Sequence, residues 1–157
     1  MKGINVPSSA GRSKVRSFTM RWVFALSAVL MALAAAVQYN DPDGLLWMLY
    51  YGVPGLWAGI AAARPGMLER PTSRVLLLVS VAAALVLTVL YWPPVSGWWR
   101  QDVWSMGMND PNAAATAERA REGMGIMIAT AVLLAVLAAS SSGWRRRMKQ
   151  PVAVGPP

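Results

Sequence analysis

Four stretches of this chain run almost without charge for the length of a membrane crossing, and short polar segments separate them. A helix must cover roughly 30 Å of hydrocarbon at about 1.5 Å per residue, so about 20 apolar residues mark one span. The pattern predicts spans at about 22–39, 45–63, 75–92 and 123–140. Turn-forming residues follow the first two, Pro93 and Pro94 close the third, and Ser141, Ser142 and Gly143 follow the fourth. Helices of a water-soluble bundle would carry polar faces, whereas 75–91 is interrupted only by Ser80 and Thr88. The expected fold class is therefore all-α: a polytopic membrane protein whose domain, residues 20–142, is a four-helix transmembrane bundle.

Details within the spans support that reading. Trp22, Tyr39, Trp47, Tyr91, Trp92 and Trp144 cluster near the ends, where amphipathic rings sit at the bilayer interface. Small residues, such as Ala34 to Ala36, Ala82 to Ala84 and the pair Gly123 and Gly125, suit close helix contact in lipid. The second span carries Gly52, Pro54, Gly55 and Gly59, a set that either kinks the helix or admits a neighbour.

Charge sets the orientation. Hydrophobic residues make up 55% of the 157 and charged residues 14%, yet the formal charge is +8, so the charges are concentrated. Lys2, Arg12, Lys14, Arg16 and Arg21 precede the first span, and Arg64, Arg70 and Arg74 join the second to the third beside Glu69. Arg145, Arg146, Arg147 and Lys149 follow the fourth. On the opposite side Arg100, Arg119 and Arg121 are outnumbered by Asp41, Asp43, Asp102, Asp110, Glu118 and Glu122. The positive-inside rule then places both termini in the cytoplasm, and a compact Ala/Arg-rich chain suggests a bacterial inner (plasma) membrane. The basic tail 1–19 and the Pro-rich end of the tail 143–157 are expected to be disordered. Topology retention and anionic headgroups account for their charge without nucleic acid as a partner. An alternative is that 1–36 is a cleaved secretory signal, although its basic stretch is long for one.

The chain has no Cys and no His. Disulfides, thiolate metal sites and the usual neutral-pH base are excluded, and no cofactor is expected. What remains is a set of polar residues on the acidic side. The turn Gln38-Tyr39-Asn40-Asp41-Pro42-Asp43-Gly44 is so short that the helices it joins must be antiparallel neighbours, and Asp43 is placed to cap the second. Before the fourth span, Glu118, Arg121 and Glu122 share one helical face. One arrangement pairs Arg121 with Asp41 or Asp43 and leaves Gln38, Asn40, Glu118 and Glu122 as a polar site just outside the hydrocarbon. The simpler alternative is a solvated helix start whose acids favour the dipole.

The run Val37 to Asp43, then Trp47 and Tyr50, then Glu118, Arg121, Glu122 and Gly125, resembles the transmembrane protein 220 family. Its members share a Gln-x-Asn-Asp-Pro-Asp turn after the first helix and a Glu-x-x-Arg-Glu-x-x-Gly stretch opening a later one. The resemblance covers about residues 20–140 and implies a small multi-helix membrane protein, with no particular chemistry. Residues 93–116, rich in Trp and Met, carry none of the motifs on which the resemblance rests. There Trp98, Trp99 and Trp104 suit an interfacial segment, Met106 and Met108 are the residue type for copper(I), and Asn109-Asp110-Pro111-Asn112 echoes the first turn as a duplicated hairpin would.

Three functions fit these residues. The foremost is a non-enzymatic accessory or small-ligand-binding protein, the bilayer and a membrane protein being its partners. A transporter or channel component comes second, with only Ser27, Ser80, Thr88 and Thr130 as polar groups inside the spans. A carboxylate-based membrane enzyme, using Asp41 or Asp43 with Glu118 or Glu122 around a hard cation such as Ca²⁺ or Mg²⁺, is third.

Overall fold

The structure, a computed structural model, describes residues 9–93 and 114–148, with side chains described over 19–93 and 115–141. Among the described residues four helices follow one another: α1, Ser9–Ala36; α2, Gly44–Ala63; α3, Pro71–Leu90; and α4, Ala114–Met148. Short 3-10 turns, Val37–Asn40 and Pro65–Glu69, join the first two pairs. No strand occurs among the described residues. All four helices are long and apolar enough to cross a membrane.

Local chemistry explains the breaks. Arg64 and Arg70 each precede a proline, whose ring disfavours helical backbone at the residue before it. Arg70 is accordingly extended (φ −69°, ψ 139°), and Pro71 opens α3 at the first helical position, where its missing N–H costs nothing. The helix thus begins four residues ahead of the expected boundary. The largest departure is at the N-terminus. The basic tail expected to be disordered is helical from Ser9 onward. No proline follows Pro7 there, and once a span has nucleated a helix, Arg, Lys and Met extend it readily. At the other end α4 runs to Met148, into the tail expected to begin at 143. Its 35 residues reach about 50 Å, so it overruns the hydrocarbon. Residues 1–8, 94–113 and 149–157 lie outside the described residues. With them lie the interfacial reading of Trp98, Trp99 and Trp104, the copper(I) reading of Met106 and Met108, the echoed turn at 109–112, and the Pro-rich C-terminal tail.

The helices pack in the spatial order α1, α2, α4, α3. The α1–α2 contact is by far the most extensive, as a seven-residue connection demands, whereas α2 and α3 barely touch and both lean on α4. Gly55 faces α1 so closely that a Cβ there would lie 3.0 Å from the Met31 Cβ, and Gly59, one turn on, faces Ala28. The glycines of α2 therefore admit a neighbour, the GxxxG device of close-packed membrane helices. A cluster contributed by every helix fills the middle of the bundle: Phe24 from α1, Trp57 and Ala58 from α2, Leu77 and Val81 from α3, Leu133 and Val136 from α4.

Much apolar surface faces outward. Trp22, Leu26 and Val29 on α1, and Val75, Val86 and Val89 on α3, are all more than half exposed. A water-soluble monomer rarely shows such contiguous patches, and lipid is the solvent that suits them. The polar span residues are satisfied internally, as hydrocarbon requires. Ser27, Ser80 and Thr88 donate to the carbonyls of Val23, Leu76 and Ala84, one turn back, and Thr130 shares a 2.9 Å hydrogen bond with Thr88. At the basic end, Arg21 Nε donates to the Ala62 carbonyl at 2.9 Å, so α1 satisfies an orphan acceptor at the C-terminus of α2.

Candidate functional site

The first turn is closed by its own backbone. The Asp41 amide donates to the Gln38 carbonyl at 3.1 Å, and the Gly44 amide to the Asp41 carbonyl at 3.0 Å. A Cβ on residue 44 would collide with the Gln38 carbonyl oxygen, so glycine is required where the chain re-enters the bundle. Asp43 occupies the N-cap position of α2, but its side chain makes no cap hydrogen bond. Its carboxylate instead accepts the Trp47 indole N–H at 2.9 Å, one turn into the helix. This replaces the expected cap with a bond that fixes a buried tryptophan.

Trp47, only 5% exposed, is the centre of an aromatic cluster. Its ring centroid lies 5.3 Å from Tyr50 (edge-on), 6.3 Å from Tyr51 (stacked) and 6.0 Å from Tyr91 (edge-on), and Tyr50 meets Tyr91 at 6.3 Å. These separations suit favourable aromatic pairing. Tyr91 arrives from the end of α3, so the cluster ties α2 and α3 together at the acidic end of the bundle.

The start of α4 closes the arrangement from below. The Tyr51 hydroxyl lies directly against Gly125, and the Tyr91 carbonyl and Pro93 ring against Gly123, leaving no room for a Cβ at either glycine. Glycine at these positions brings Glu122 into the cluster. Glu122 is partly buried and sits within the fields of three charges: Glu118 and Asp43, both negative, and Arg119, positive.

Of the seven residues singled out from sequence, Glu122 is the one on which the charges of two others act, Asp43 from the start of α2 and Glu118 from one turn back on α4. Gln38, Asn40 and Asp41 belong to the first connection, whose 3-10 turn touches α1 and α2 and not α4. Asn40 and Asp41 are exposed, and Gln38 serves through its backbone. Arg121 is exposed too, and no ion pair joins it to Asp41 or Asp43 among the described residues. Arg119, two residues earlier and so on a different face of the helix, is the cation that acts on Glu122. Tyr51 and Tyr91 join the cluster without having been singled out as site residues. Tyr91 read only as an interfacial ring, and the available signal for Tyr51 was its adjacency to Tyr50 ahead of a glycine-bearing partner helix. No group of three carboxylates at metal-binding spacing occurs among the described residues.

The Asp43 bond gives a direct test. In a double-mutant cycle, Asp43→Ala and Trp47→Phe should each destabilise the detergent-solubilised protein and should be coupled by about 1.5 kcal/mol, as a hydrogen bond to a charged group is. Strict additivity in thermal or denaturant melts would refute the bond.

The family model described as "Transmembrane family 220, helix" matches residues 30–138, from within α1 to near the end of the fourth span, taking in the first turn, the aromatic cluster and the start of α4. No curated protein and no solved structure matches the chain. The match covers well over half the sequence and agrees with four membrane-crossing helices, so the chain is a multi-pass protein of the lipid bilayer and belongs to transmembrane family 220.

Proposed function

We propose that this protein is a non-enzymatic accessory or small-ligand-binding protein, and that its binding surface is the acidic, aromatic end of the bundle. The observation that carries the reading is the bond from Asp43 to Trp47 at the centre of the aromatic cluster, with Glu122 near Tyr51 and within the fields of Asp43 and Glu118. A bundle needs none of these carboxylates to cross a membrane, and their mutual repulsion is relieved when a cationic or hydrogen-bond-donating group docks against them. The charge bias supports a reading in which this surface faces outward and both termini are cytoplasmic, and the compact Ala/Arg-rich chain supports a bacterial plasma membrane as the setting. Transport receives less support, since the hydroxyls of Ser27, Ser80, Thr88 and Thr130 are engaged in hydrogen bonds.

The test is a native pulldown in mild detergent with mass spectrometry, comparing wild type with Asp41→Asn/Asp43→Asn. An accessory role predicts one stoichiometric partner that is lost from the variant while the variant's melting curve stays cooperative. A partner retained equally by both proteins counts against the acidic end as its contact surface.

A further inference from the structure

We propose that the groove between α2, α3 and α4 holds an acyl chain of an aminophospholipid from the leaflet at the acidic end, with the lipid's ammonium beside Asp43 and Glu122. The chain half of this inference stands on the groove alone. The headgroup half rests on the acidic end being a binding surface.

Because α2 and α3 both lean on α4 and hardly on each other, a partly open cavity of about 300 Å³ remains between them. Leu49 and Val53 form one wall, Val79, Ala83 and Leu87 the other, and α4 the floor. Val79 and Leu87 are eight residues apart on one helix, about 12 Å, close to the roughly 15 Å depth of one leaflet. The inner end is marked by the point where the two walls are joined, as Trp57 Nε1 donates to Ser80 Oγ at 3.1 Å. A slot of one leaflet's depth, apolar along both walls, has the dimensions of a lipid tail. Its volume lies at the low end of small-ligand sites, well short of the bulk of a helix several turns long from a second copy.

At the other end Tyr50 lines the groove and contacts Tyr91 and Trp47, and Trp47 in turn donates its indole N–H to Asp43. Pro54, a lining residue one turn deeper, has no N–H to donate to the Tyr50 carbonyl, which leaves that helical acceptor without its ordinary donor. Among the described residues of this end, Asp41, Asp43, Glu118 and Glu122 outnumber Arg119 and Arg121. A lipid with a net negative head is disfavoured there. A zwitterion fits, its ammonium meeting carboxylates and aromatic rings and its phosphate matched by Arg119.

Purified full-length protein in delipidating mild detergent would be titrated with dioleoyl phosphatidylethanolamine or dioleoyl phosphatidylglycerol, read by native mass spectrometry and thermal melting. The expected result is one retained phosphatidylethanolamine per chain, a higher melting temperature on binding, and roughly two- to fivefold preference over phosphatidylglycerol, as an exposed cation–π contact confers. Ala83→Phe fills the groove from an exposed position and should abolish retention while melting no lower than wild type in detergent. Val79→Trp, from the same wall, should do likewise and serves if the first variant does not fold. Asp43→Asn/Glu122→Gln should keep the lipid and lose the preference. Retention by both groove-filled variants, or a second copy bound in place of lipid, would overturn the groove assignment. An unchanged preference in the carboxylate variant would overturn the headgroup assignment. Lipid retention without a protein partner would count against the accessory reading alone, and a partner without lipid against this inference alone.

Discussion

Trp57→Ala is expected to destabilise the bundle more than any other single truncation in the spans, by about 3 kcal/mol, seen as a large drop in melting temperature in detergent. Trp57 is 7% exposed and belongs to a cluster to which all four described helices contribute. Removing its ring opens a void that neighbours on four helices cannot close together. The figure sits at the low end for buried aromatic truncations because lipid and the interior are similarly apolar, so lost packing carries most of the cost. Trp57→Phe separates the ring from its N–H. It should cost about 1 kcal/mol, since it removes the interhelical bond while Ser80 keeps its bond to the Leu76 carbonyl. If Trp57→Ala melted like the wild type, the cluster would not be the centre of the bundle.

Gly123→Ala should be the most damaging methyl addition on α4, at about 2 kcal/mol. The new Cβ would meet the Tyr91 carbonyl and the Pro93 ring, both parts of the chain that cannot swing aside, and overpacking of this kind costs about 1–3 kcal/mol. The gain of about 1 kcal/mol in helix propensity offsets only part of that. Gly125→Ala offers the contrast. There the obstacle is the Tyr51 hydroxyl, the far end of a side chain that can rotate, so the change should be close to neutral in stability while loosening the stack of Tyr51 on Trp47. Melting curves of the two variants, with tryptophan fluorescence as the local probe, check both. Equal effects would mean that the end of α3 does not rest on α4 at Gly123.

The number, order and approximate limits of the helices were legible in the sequence because hydrocarbon imposes one strong rule on every span, and Pro65, Pro71 and Pro93 punctuate what lies between. The N-terminal extension of α1 was not, because a basic segment beside a span reads as tail or as helix with equal composition. The candidate site was legible in part. Spacing along one helix put Glu118, Arg121 and Glu122 on a shared face, but which cation lies near the cluster depends on how α4 is rotated against α2, and that rotation is set by glycine contacts at 123 and 125. The same rotation brings Arg119 to Glu122 and leaves Arg121 exposed. Asp43 read naturally as a cap, since any Asp before a helix does. Its actual partner, Trp47, is four residues on, a distance at which a longer side chain can out-compete the backbone amides.

The lopsided packing of the bundle also has a consequence for its biogenesis. A chain is made from its N-terminus, and α1 and α2 complete nearly all of their mutual contact, including the Arg21 bond to Ala62, before α3 exists. That hairpin can leave the insertion machinery as a finished unit. The third helix meets α2 mainly through the Trp57 bond to Ser80 and the rings against Tyr91, and it waits in the bilayer for most of its packing until the last helix is synthesised and seals it in place. Truncation ahead of α4 should therefore leave a well-formed hairpin and an orphaned third span, the form in which membrane quality-control proteases would first meet this protein.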